Sequence, residues 1–166
     1  MSLFDIVLSG IILSFGLFGL WFGLISTMGA LLGTVAGVFF ASRIYVFPAD
    51  WLISITHWSG NFPKVATFIV CFLIINRLVG LGFHILDKML FRITSLPYIN
   101  GLNKILGFIF GIFEGILVTG VIFYVIDRYP LWESFMTQAK ASTVVTICEG
   151  IASFLWPLLP AVMKMM

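Results

Sequence analysis

Arg77 and Glu114 stand deep inside long apolar runs. A charge held in the middle of a membrane helix costs a few kcal/mol, and an opposite charge beside it offsets much of that cost. His84 follows Arg77 by seven residues on the same helical face, and Lys88 comes one turn later, so this run carries a polar stripe. Two chemistries fit such a stripe. One is a path for protons or ions, which ionisable residues in membranes often mark. The other is a structural ion pair between Arg77 and Glu114, with His84 and Lys88 snorkelling to the interface.

Catalytic patterns are missing from the sequence. It has no phosphate-binding glycine loop ending in Lys-Ser/Thr, no His-Glu-x-x-His and no Gly-x-Ser-x-Gly. Two histidines and two cysteines, Cys71 and Cys148, lack the spacing of a metal site or a disulfide framework. Neither an enzyme nor a cofactor or metal is expected. The nine Lys and Arg residues are scattered and give a net charge of +2, which supplies no nucleic-acid footprint.

The elements that must position these residues follow from hydropathy. Residues 6–42 contain no Asp, Glu, Lys, Arg or His. As one helix they would span about 55 Å, against a hydrocarbon core of about 30 Å. Two crossings joined by a short turn are the simplest solution. The chain is 61% hydrophobic and 10% charged, where soluble domains carry about 25% charged residues. The expected fold is all-α: one polytopic membrane domain over 1–166, with transmembrane helices at about 3–24, 26–47, 65–86 and 105–126. The N-terminal apolar run is too long for a signal-peptide core, so it is expected to be retained.

On these bounds Arg77 lies about 18 Å in from one face and Glu114 about 14 Å in from the other, so antiparallel third and fourth helices would bring them to one depth. Pro48 is expected to end the second helix. In the loop 48–63, Trp51, Leu52, Ile55 and Trp58 share a helical face, which fits either a short interfacial helix or an irregular aromatic loop. A second loop, 87–104, carries Lys88, Arg92 and Lys104. The C-terminal segment 131–166 is too short and too interrupted for a fifth span, and an interfacial or re-entrant segment is expected. Basic residues are distributed too evenly between the two sides to fix orientation.

Gly29, Gly33 and Gly37 recur every fourth residue on the second helix, and Gly107, Gly111 and Gly115 on the fourth. Asp5, Ser9, Gly16, Gly19 and Gly23 share a face on the first. Each stripe leaves a groove into which another backbone can pack closely, the expected role of these glycines.

The stretch Leu102-Asn103-Lys104-Ile105-Leu106-Gly107-Phe108-Ile109-Phe110-Gly111-Ile112-Phe113-Glu114-Gly115 resembles the signature of the colicin V production protein family. Phe4-Asp5-Ile6-Val7 and Gly19-x-x-x-Gly23 are similar to the family as well, over about residues 3–128. Three departures stand out. Asn103 replaces the usual Asp, Glu114 replaces the usual Arg or Lys, and the first turn lacks arginines. The resemblance implies a multi-pass bacterial inner-membrane protein that supports toxin production or export, or envelope homeostasis. It also implies an orientation with the N-terminus outside and the 87–104 loop inside. The partners then expected are the lipid bilayer together with a second copy of the chain or a secretion or envelope protein, and no nucleic acid. The alternative is a small oligomeric transporter or channel using Arg77, Glu114 and His84.

Overall fold

The computed structural model describes residues 3–57, 61–91, 99–129 and 133–158. Among these residues every element is helical: α1 (Leu3–Phe22), α2 (Leu24–Ile44), α3 (Val46–Thr56), α4 (Phe62–Phe91), α5 (Ile99–Arg128), α6 (Glu133–Ala141), α7 (Thr143–Ala152) and a closing 3-10 turn (Ser153–Leu158). Four of them, α1, α2, α4 and α5, are long and apolar enough to cross a membrane. The fold is that of a multi-pass, all-α membrane protein.

The turn between α1 and α2 is a single residue. Gly23 sits at φ 85°, a left-handed conformation that costs glycine nothing sterically, and its N–H donates to the Gly19 carbonyl at 2.8 Å. The boundary therefore falls two residues earlier than the apolar pattern suggests. α2 ends at Ile44 and not at Phe47, so Pro48 lies beyond its end. Pro48 is the third residue of α3, within the first turn, where a missing N–H is tolerated. Because proline offers no N–H to the Ile44 carbonyl four residues back, α2 stops there. α3 is a true helix, with Trp51 and Ile55 exposed, and it ends at His57 in the left-handed conformation. Trp58 lies outside the described residues.

Two corrections concern α4 and α5. Each is 30 residues long, or about 45 Å, well beyond the 65–86 and 105–126 spans expected from hydropathy. An apolar run measures bilayer thickness, whereas Lys88, Asn100, Asn103 and Lys104 are all compatible with helix beyond it. The predicted loop 87–104 is thus mostly helix. Arg92 and Pro97 lie outside the described residues.

The second correction is lateral order. α4 and α5 follow each other closely in the chain, yet α4 packs on α2 and α5 packs on α1, while α2 and α5 meet in the middle. The four helices form a curved layer in the order α1, α5, α2, α4. The glycine stripes set this order. Side chains added at Gly29, Gly33 and Gly37 would run into Phe83, Asn76 and Phe72 of α4. Those added at Gly107, Gly111 and Gly115 would run into Gly19, Phe15 and Ile12 of α1. Each stripe admits one neighbour: α2 takes α4 and not α1, and α5 takes α1 and not α4.

One half of the layer is filled with side chains. Phe68 and Phe72 stack at 6.1 Å, Val38, Leu117 and Val125 are buried around them, and the Tyr45 and Tyr129 hydroxyls meet at 2.9 Å. The C-terminal elements close over this half. Gly120 of α5 receives Cys148 and Ala152 of α7. The Ser142 hydroxyl accepts from the Val145 N–H, capping α7, and donates to the buried Asp5 carboxylate of α1. At 10 residues α7 is too short to cross, and it lies against α5 and α1.

Candidate functional site

The other half of the layer is open. α1 and α4, its two outer helices, stand apart, and between them lies a cavity of about 330 Å³. α1 contributes Ser14, Phe15, Phe18 and Phe22, and α4 contributes Arg77, Gly80, Leu81 and His84. Ser26, Thr27 and Ala30 of α2 and Glu114 of α5 form the floor. A neighbouring pocket of about 270 Å³ shares Phe15, Ala30, Arg77, Gly80 and Glu114, and adds Leu73 and Asn76. The rims carry exposed Phe18 and Leu81, so the mouth faces the lipid.

Arg77 and Glu114 are each the sixteenth residue of a 30-residue helix, which puts both at mid-membrane. They line the same cavity and act on each other electrostatically. Among the described residues, however, the ion contact found is Lys140–Asp127 at 3.5 Å, and Arg77 and Glu114 do not close to an ion pair. The physical reason is the lateral order: α2 stands between their helices. Glu114 is recessed, 9% exposed, on the side of the cavity lined by Asn76, whose amide donates to the Thr34 hydroxyl at 3.4 Å. Arg77 is exposed towards the cavity.

His84 lines the cavity too, its ring edge-on to Phe22 with centroids 5.1 Å apart. Its Nδ1 is buried and has no hydrogen-bond partner among the described residues. Lys88, the last member of the polar stripe, is exposed and lines neither pocket. The stripe glycines Gly29, Gly33, Gly37, Gly107, Gly111 and Gly115 sit at helix contacts and not at the cavity wall.

Two polar residues escape a reading by charge alone. Asn76 lines the second pocket with Arg77 and Glu114; its signal was a lone amide beside Arg77 in an apolar run. Asn103 reaches from α5 to accept the Leu24 N–H at 2.9 Å, so it satisfies an orphan donor of the first turn of α2. Its departure from the family's usual Asp keeps the acceptor oxygen this role needs.

A smaller pocket of about 190 Å³ lies among α5, α6 and α7, lined by Asp127, Lys140, Thr146 and Glu149. Burial and the nearby Asp127 push the Glu149 carboxyl above the usual range, with Lys140 opposing them. The Lys140–Asp127 pair is 70% and 55% exposed, and such pairs add little stability. Among the described residues, no three His, Cys, Asp or Glu side chains gather as metal ligands.

In comparisons with known proteins, the family model described as Colicin V production protein matches residues 4–153, through α7 and beyond the 3–128 of the resemblance. No curated protein and no solved structure matches the chain.

Proposed function

The chain belongs to the colicin V production protein family, and on that premise we propose that it acts as a non-catalytic accessory protein of the bacterial inner membrane. In this reading it supports toxin production and export or envelope homeostasis, and it works beside a second copy or a secretion or envelope partner. The match over nearly the whole chain carries the reading. The transporter alternative rests on the cavity with Arg77 and His84. In a single copy that cavity backs onto the half filled by Phe68, Phe72 and Leu117, which argues for a binding function over a pore.

The test is deletion of the gene in a toxin-secreting host, followed by cross-linking in native membranes and mass-spectrometric identification of partners. Reduced toxin release, restored by the wild-type chain, with a secretion or envelope protein among the cross-links, supports the accessory role. Normal release and an intact envelope in the deletion strain refute it. The proposed orientation has the N-terminus and the α5–α6 end outside. Thiols introduced at Ser59 and Ser95 test it: Ser59 should label from the outer side and Ser95 from the cytoplasm.

A further inference from the structure

The cavity between α1 and α4 poses a problem that the accessory role does not address. It holds a guanidinium at mid-membrane without an ion-pair partner, faces lipid, and carries a buried imidazole nitrogen that no described protein atom satisfies. The carboxyl group that could neutralise Arg77, that of Glu114, is recessed and makes no ion contact with it. An unpaired cation in hydrocarbon demands an anion, because each buried charge costs several kcal/mol unless compensated. The walls around it are Phe15, Phe18 and Phe22, which offer nothing to an inorganic ion and a good surface to a hydrocarbon chain.

Size narrows the occupant. The volume sits at the low end of small-molecule sites, which run from about 300 to 1,000 Å³. It suits a headgroup and part of one chain, with the rest of the tail leaving through the open side.

We propose that this cavity binds a single-chain anionic amphiphile taken laterally from the bilayer, its carboxylate or phosphate on Arg77 and its tail along the three phenylalanines of α1. His84 supplies a second polar contact at the mouth. The inference does not depend on the export reading and survives its failure.

The experiment uses the full chain in dodecyl maltoside micelles. Laurate and dodecyl phosphate are the probes, with 1-dodecanol and inorganic phosphate presenting each half of the ligand alone. Native mass spectrometry counts bound copies, and thermal unfolding follows stabilisation. At least one anionic amphiphile should bind one copy and raise the midpoint, while dodecanol and inorganic phosphate should not. Which of the two binds distinguishes a carboxylate from a phosphate ligand. Arg77→Gln should weaken binding by about tenfold or more, the loss of a charge-assisted contact, and Arg77→Lys should restore part of it. If Arg77→Gln is not produced, laurate with a diazirine in its tail is used on the wild type. Labelling of α1 and α4 around the cavity, displaced by unlabelled ligand, supports the proposal. Binding of dodecanol or inorganic phosphate as tight as that of the amphiphiles, no change in Arg77→Gln, or label confined to the outer lipid-facing surface would overturn it.

Discussion

Arg77 and Glu114 occupy one cavity but belong to different local structures. Glu114 is a recessed polar group beside the buried Asn76, whereas Arg77 is an exposed cation on the cavity wall. Asn76→Leu should therefore lower the thermal midpoint in detergent, by the equivalent of about 1–3 kcal/mol, because it removes the buried amide that contacts the Thr34 hydroxyl and lies near the Glu114 carboxyl group. Glu114→Gln keeps a hydrogen-bonding partner for Asn76 and should remain close to wild type. Arg77→Met should cost little or nothing, since it removes a charge without breaking an ion pair. A fall in membrane abundance for Arg77→Met as large as that for Asn76→Leu would show that the two charges stabilise each other directly. At this scale the sequence disclosed which polar residues stand inside the apolar helices and roughly where along them they lie. It did not disclose who touches whom, because the identity of the helix between α4 and α5 is encoded in glycine grooves whose partners no spacing rule specifies.

Among the elements, glycine position separates contact from ornament. A side chain at Gly111 would meet the backbone of Phe15, which has nowhere to go, so Gly111→Leu should cost at least the 1–3 kcal/mol typical of overpacking. Gly82, on α4, has open space around its missing Cβ, and Gly82→Ala should stabilise by up to about 1 kcal/mol through helix propensity. Scanning calorimetry of the two variants decides between groove and filler: equal midpoints would remove the stripe on α5 from the packing account. The cap on α2 gives a sharper case. Asn103→Ala should lose about 0.5–2 kcal/mol, while Asn103→Asp retains the acceptor and adds a favourable charge at a helix N-terminus. Urea unfolding of both variants checks the ordering, which reverses if the contact to Leu24 is incidental. Glycine periodicity marked these stripes in advance. Helix ends were less legible, since Pro48 reads as a stop only until it is seen to sit in a first turn.

For the whole molecule, the C-terminal elements are structural parts of the body. Ser142 holds Asp5, α7 fills the groove at Gly120, and Trp156 stacks on Tyr124 at 5.0 Å. A chain truncated after Arg128 should consequently accumulate poorly and elute as aggregates in size-exclusion chromatography. A monodisperse, stable truncation would show that four spans suffice. Four long apolar helices and a shorter C-terminal helical segment could be inferred from hydropathy and length. Their lateral sequence could not, because lipid-facing and protein-facing apolar residues look alike.

The one-residue turn at Gly23 has a consequence for biosynthesis. α1 and α2 leave the ribosome as neighbours, but in the finished protein α5 is wedged between them and α2's other flank belongs to α4. The first hairpin must therefore remain splayed, or reopen, until the last long helix has been made. Contacts this distant in sequence are formed late and slow folding, and domains made from the N-terminus onward expose unfinished surfaces while they wait. During that interval the glycine grooves of α2 and the face of α1 that will receive α5 are vacant in the bilayer. The nascent chain is then most exposed to capture by insertion chaperones or by another copy of its own α5, so an exchange of fifth helices between two half-made chains is the characteristic error this topology invites.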